Sequence, residues 1–255
     1  MKWALITGAS KGIGEAMARE LSSLGWHLIL VARTEHLLIR LAEECGAEER
    51  LHKVFVCDLT KLEERERLFQ FVAEEDIQIS ALINNAGFGS NGAFIEQDRT
   101  RELQQIQLNI SALVDLSHLF LPQLKEKQGY ILNIASTAGF QPGPFMAVYY
   151  ATKSFVLHFS EALSVELQGT GVSVTAHCPG ATESDFGKVS GNENSLLFAL
   201  RVMDRHVVAR HAVNSMLARK RVAIPGLMNW ITAKSIGFTP RPIVLFLAKM
   251  LNQPK

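Results

Sequence analysis

Six short apolar runs, each separated from the next by a longer amphipathic stretch, most constrain how this chain can fold. The runs fall near residues 3–7, 27–32, 52–57, 79–84, 130–135 and 172–178, and the helical patterns near 13–24, 35–45, 61–75, 100–126 and 147–168. Strands that alternate with helices of that length are joined by crossovers, and crossovers make neighbouring strands parallel. The pattern therefore predicts an α/β fold, a doubly wound parallel sheet with helices on both faces. A seventh strand is expected at Arg221-Val222-Ala223-Ile224, just before Pro225-Gly226. A chain of 255 residues with 47% hydrophobic residues can fill both sides of one such sheet.

The first strand runs directly into Thr7-Gly8-Ala9-Ser10-Lys11-Gly12-Ile13-Gly14 and then a helix. Glycines at 8, 12 and 14 let the backbone turn tightly and approach a pyrophosphate, while the helix N-terminus offers unpaired N–H groups and positive dipole charge. Strand, glycine turn and helix in that order are the setting of a Rossmann-type dinucleotide site.

Tyr149 and Lys153 stand four residues apart, on one face of a predicted helix. A phenol loses its proton near pH 10, so a cation held beside it is expected to favour the phenolate and make the pair useful for proton transfer to or from a carbonyl or alcohol oxygen. Ser136 supplies a second hydroxyl. Tyr150 lies three residues from Lys153 and is out of register.

With Asn84-Asn85-Ala86-Gly87, Ser136, Tyr149/Lys153 and Pro179-Gly180 in this order, the chain resembles the short-chain dehydrogenase/reductase family from about residue 3 to residue 185, in particular the branch of 3-oxoacyl reductases and hydroxysteroid dehydrogenases. The resemblance implies a Tyr149 general acid, a Ser136 hydrogen bond to the substrate oxygen, and a Lys153 that lowers the Tyr149 pKa and binds the nicotinamide ribose. It adds Asn109 as a residue placing a water next to Lys153. It assigns Asp58, with Leu59, to the adenine, Asn85, Ala86 and Gly87 to the adenosine side, and Pro179, Gly180, Thr182 and Ser184 to the carboxamide.

Charge bears on the choice of cofactor. An acid at the end of the second strand would bind the ribose diol of NAD and repel the 2′-phosphate of NADP. That strand ends Val31-Ala32-Arg33, and Arg33 can make bidentate bonds to a phosphate, with Lys11 as a second cation. The expected cofactor is NADP(H). Carbonyl reduction with NADPH is the leading reading. Oxidation of an alcohol by the same groups and a non-catalytic dinucleotide sensor are the alternatives. Phe140, Phe145, Met146, Phe186, Leu196, Leu197 and Phe198 are candidates for an apolar substrate pocket.

A net charge of +1 gives no broad footprint for nucleic acid. Cys45, Cys57 and Cys178 lack metal-ligand spacing and are odd in number, so no disulfide framework, no metal and a reduced cytoplasmic setting are expected. No export signal and no membrane-spanning run is read. His177 is expected to be hydrogen-bonded in the core or at its rim, and His206 and His211 to face solvent. The helix from Ala147 to Gln168 is apolar over more than one face, which implies a homodimer or homotetramer.

Residues 1–226 are expected to form one catalytic domain, with 183–215 covering the substrate and 227–255 as a C-terminal extension. That extension mixes Trp230, Phe238 and Phe246 with Lys234, Arg241 and Lys249. It could close the pocket, bury a subunit interface or lie on a membrane. Pro240 and Pro242 divide it, which places packing on protein ahead of the membrane reading.

Overall fold

The computed structural model describes residues 1–46, 51–193, 195 and 202–254. Seven parallel strands form the predicted sheet: β1 (Trp3–Thr7), β2 (His27–Ala32), β3 (His52–Val56), β4 (Ile79–Asn84), β5 (Tyr130–Ile134), β6 (Ser173–His177) and β7 (Val222–Ala223). Their order is β3-β2-β1-β4-β5-β6-β7, so the chain winds one way from β1 and then returns past it to β4.

Alternate residues of each strand serve opposite cores. Ala4, Ile6, Leu28, Leu30, Ile83 and Leu132 face α1 (Gly12–Ser23) and α2 (Glu35–Cys45), where Met17, Leu21, Leu38 and Leu41 cover them. Leu5, Ile29, Val31, Leu82, Ile131 and Val174 face α3 (Leu62–Glu74) and α5 (Ala112–Glu126). Phe120 of α5 is fully buried there, and its truncation to Ala would cost about 3 to 5 kcal/mol.

The single helix expected over 100–126 is continuous but contains one widened turn. α4 (Arg99–Ile106) passes into a π turn over Gln107–Ser111 before α5 begins. α6 (Ala147–Glu166) carries the Tyr–Lys pair, and the short α7 (Phe186–Ser190) follows β6. α8 (Arg205–Leu217) starts at Asp204, whose carboxylate accepts from the N–H groups of His206 and Val207, each at 2.9 Å. It adds Ala212, Val213 and Met216 to the first core. Two further helices follow β7: α9 (Leu227–Ile236) and α10 (Arg241–Asn252), the latter entered through Pro240 with Pro242 in its first turn.

Of the two histidines of α8, only one faces solvent as expected. His206 is exposed, but His211 faces inward and its Nδ1 lies 3.0 Å from Nε2 of the fully buried His177. Histidine spacing on one helix carries no information about a partner on a strand 34 residues earlier.

Candidate active site

β1 has β2 on one side and β4 on the other, so the connections leave in opposite directions and a crevice opens at the carboxyl ends of these strands. Thr7 closes β1 there. Its hydroxyl donates to the Ile83 carbonyl (3.2 Å) and accepts from the Asn85 and Ala86 N–H groups at 2.9 and 3.0 Å. The Asn85 side chain donates back to the Thr7 and Gly8 carbonyls. Asn85 is thus a brace joining the two loops of the crevice. Sequence reasoning missed this role, and with it the part played by Thr7, because no local signal marks a contact between loops so far apart in the chain.

Gly8 and Gly12 have φ of 65° and 62°, where a side chain is strained. At Gly14 a Cβ would stand 2.3 Å from the Gly8 carbonyl oxygen. The glycines are therefore required by the local packing as well as by any ligand. No side chain caps α1, which leaves its first N–H groups to an anion beside Ser10 and Ile13. This cradle fits a pyrophosphate.

Arg33 is exposed at the end of β2 and unencumbered by any salt bridge among the described residues, whereas Lys11 pairs with Asp185 at 2.9 Å. That pair, with a Cβ on Gly12 falling 3.1 Å from Ser184 Cβ, brings the segment after β6 against the glycine turn. Burial raises the Asp58 carboxyl, but hydrogen bonds from Thr60 and the charges of Arg33 and Lys61 hold it below its ordinary value. Leu59 is buried in the second core and its carbonyl accepts from Arg65.

The end of β5 and the start of α6 supply the candidate reactive groups. Ser136 caps a short turn over Thr137–Phe140; its Oγ accepts from the Ala138 N–H (3.1 Å) and lies 3.3 Å from the Pro179 carbonyl. The same hydroxyl is near enough to Tyr149 to bear on its pKa. Lys153 is buried, donates to the Ile134 carbonyl at 2.7 Å, and sits 5.9 Å from the Tyr149 ring centroid. Gly139 lets α6 approach: a Cβ there would be 2.7 Å from the Lys153 carbonyl oxygen.

Lys153 is not among the groups that shift Tyr149 in this structure. Burial pushes the Tyr149 hydroxyl above its ordinary value, with Ser136 opposing and Tyr150 adding to the rise. Burial also pushes the Lys153 amine down, to about 8. Two groups desolvated together shift toward their neutral forms.

Asn109 lies in the π turn, a feature frequent at functional sites. Its amide bridges both main-chain groups of Phe88 and reaches the Thr152 hydroxyl at 3.0 Å. A Cβ on Gly87 would come within 2.9 Å of Asn109 Oδ1 and 3.6 Å of Lys153 Nζ, so these three residues converge. Thr182 and Ser184 spend their hydroxyls on the carbonyls of Gly180 and Thr182, shaping the loop after Pro179.

Of the candidate pocket residues, Phe186 stacks at a tilt 5.0 Å from Tyr149, and a Cβ on Gly89 would touch Phe186, Tyr149 and Met146 at 3.0 to 3.3 Å. These form an apolar wall at the reactive hydroxyl. Phe140 instead packs into the core with Val156 and Leu157. Phe145 holds φ at 65° beside this wall, and Leu196, Leu197 and Phe198 lie outside the described residues. Tyr150 ties α6 to the end of the chain's last helix. Its hydroxyl donates to Asn252 Oδ1 (3.2 Å) at the end of α10, and Asn91 donates to the Asn252 carbonyl (2.7 Å). A buried ladder from Ser117 through Asn84 and Asn133 to Ser160 ties α5 and α6 together through the sheet. No cluster of metal ligands occurs among the described residues, and all three cysteines are buried thiols.

A glycine cradle for a dinucleotide and a Ser-Tyr-Lys set at the same sheet edge define a nicotinamide-dependent oxidoreductase. The family model for short chain dehydrogenase matches residues 2–195, and the chain belongs to that family. It is 38% identical over 185 residues to sulfoacetaldehyde reductase 2 of Chromohalobacter salexigens, covering 71% of this chain and 73% of the relative. It is 34% identical over 200 residues to the very-long-chain 3-oxoacyl-CoA reductase of Anas platyrhynchos, covering 74% of this chain and 62% of that one. Hydroxysteroid dehydrogenases are also among its relatives. The solved short-chain dehydrogenase from Sphingobium yanoikuyae in complex with NADPH superimposes with a TM-score of 0.83 at 32% identity, over 93% of this chain and 94% of that one.

Proposed function

We propose that the chain is an NADPH-dependent reductase that converts the carbonyl of an apolar substrate to an alcohol. The observation that carries this reading is the Ser136–Tyr149 hydroxyl pair set against the wall of Phe186 and Met146, with Lys153 buried alongside. When bound, NADPH supplies hydride to the carbonyl carbon. Negative charge then gathers on the substrate oxygen, where hydrogen-bond donors stabilise the transition state. Tyr149 donates its proton to that oxygen, and its raised pKa keeps the proton in place until the charge develops. Ser136 holds the same oxygen, and Lys153 offers its cation to the phenolate left behind. Asn109 keeps the Phe88 segment seated against Lys153.

Arg33 supports NADP(H) over NAD(H), because Ala32 leaves the end of β2 without an acid. The NADPH held by the Sphingobium relative points the same way. In this reading residues 1–226 act as one catalytic domain, with 183–215 over the substrate and 227–255 as an extension of it. A homodimer or homotetramer is supported by the apolar side chains left exposed on α4 and α6, Leu103, Phe155 and Val165 among them. A cytoplasmic setting is supported by the three buried thiols.

The test is NADPH oxidation followed across ketones, aldehydes, 3-oxoacyl thioesters and steroids. At least one apolar class should be turned over, and Tyr149→Phe should reduce kcat by roughly 100-fold or more, on the order expected for a lost general acid, with NADPH affinity retained. Wild-type turnover in that variant refutes the assignment.

A further inference from the structure

Charge is divided unevenly along this nearly neutral chain. The residues after Asp204 hold 9 of the 26 Lys and Arg and none of the 25 Asp and Glu, whereas those up to Asp204 have 17 against 25, a net of −8. Part of this basic excess is answered within the fold. Arg205 and Arg210 of α8 face Glu15 and Glu20 of α1, and Arg219 donates to the Gly171 and Gln128 carbonyls. The cations beyond β7 are not answered: Lys234, Arg241 and Lys249 form no salt bridge among the described residues.

The same segment leaves its apolar side chains outside. Packing on this chain itself takes up only a narrow inner stripe, Ala233 of α9 and Val244, Ala248 and Asn252 of α10. Leu227, Trp230, Ile231 and Lys234 lie at i, i+3, i+4 and i+7, which is one face of α9, and the three apolar ones are exposed. Ile243, Phe246, Leu247 and Met250 repeat that spacing on α10 and are exposed too. Between the helices Phe238 is 92% exposed. No helix among the described residues is long and apolar enough to cross a membrane, so these faces have to be covered from one side.

We infer that the outer faces of α9 and α10, with Phe238 between them, dock on an anionic phospholipid surface. Short helices with apolar residues outward and lysine or arginine at their margins lie in the headgroup region, where the acyl boundary takes the side chains and the lipid charge attracts the cations. A second copy of the chain fits less well. A two-fold interface sets a patch against itself, and here both halves would carry Lys234, Arg241 and Lys249 and neither would carry an acid from this segment. The inner side of α10 meanwhile reaches the active site, because Asn252 holds Tyr150, the neighbour of Tyr149. A lipid surface would thus lie one helix away from the apolar wall at the reactive hydroxyl.

The experiment is flotation of the purified full chain with phosphatidylcholine vesicles, with and without phosphatidylglycerol, at low and high salt. Binding should require phosphatidylglycerol and weaken with salt. The triple variant Lys234→Gln, Arg241→Gln, Lys249→Gln should bind about fivefold less tightly per cation removed, on the order of a hundredfold in all. Trp230→Glu with Phe246→Glu should also abolish binding, both variants melting as the wild type does. Failure to float with anionic vesicles at low salt overturns the inference, as does equal binding to both vesicle types. Light scattering gives the third contrary outcome: an oligomer that Trp230→Glu with Phe246→Glu splits into monomers would mean that a second copy covers this face.

Discussion

Acid should unfold this protein through His177. The ring is fully buried on β6 and holds a single partner, Nδ1 of His211, among the described residues, and burial followed by the charge of His211 pushes its pKa down to about 3. In the unfolded chain the group titrates near 6.5. Between those two values the unfolded state binds the proton and the folded state does not, so stability falls as pH drops from 6.5 toward 3. At about 1.4 kcal/mol per pH unit the full window is worth roughly 5 kcal/mol, and the part from about pH 6.5 to 4 about 3 kcal/mol. His211 is depressed as well, by its own burial and then by Lys220, which adds in the same direction. Urea unfolding of the wild type and His177→Phe at steps between about pH 7 and pH 4 measures the difference. The variant will differ in stability at neutral pH because its core is repacked, so the comparison rests on slope alone. The wild type should lose about 3 kcal/mol more than the variant over that range. Parallel curves would refute the reasoning. The consequence reaches the active site, since β6 continues into Pro179, whose carbonyl anchors Ser136 and the Thr137 N–H.

Three other outcomes are expected. Arg33→Ala should weaken NADPH binding by about 1.5 to 3 kcal/mol and leave NADH nearly unchanged in titration calorimetry, whereas equal losses would mean that Arg33 does not meet the 2′-phosphate. Gly14→Ala should reduce nucleotide affinity and Tm together, because its Cβ would fall 2.3 Å from a backbone oxygen that no side-chain rotation can move; an unchanged affinity by fluorescence titration would contradict this. Asn252→Leu should destabilise the fold by about 1 to 2 kcal/mol by leaving the Tyr150 hydroxyl less well paired, and should raise KM more than it lowers kcat; an unaltered KM would show that the end of α10 does not shape the substrate wall.

The sheet and most of its helices were legible because their signals are local and periodic. All seven strands lie within a residue or two of their expected places, and the glycine turn sits where strand meets helix. The family was legible for a related reason: Ser136, Tyr149 and Lys153 keep fixed spacings to one another along the chain, and a helix converts the spacing of the last two into a shared face. Sequence alone therefore determined the parallel α/β architecture, the family and the choice of candidate reactive groups. What it left open depends on which distant segments touch. The contacts of Asn109 with Phe88 and Thr152, the Thr7–Asn85 brace, the His177–His211 pair and the clasp of Asn252 on Tyr150 each depend on residues far apart in the chain, and no periodicity encodes such a contact. The same holds for charge and solvation. The spacing of Tyr149 and Lys153 implied a cation lowering a phenol, but only tertiary burial decides how much water each group loses, and here it drives both toward neutrality. Likewise the apolar residues beyond β7 could be read from sequence, whereas only the packing of α9 and α10 decided which of them remain outside.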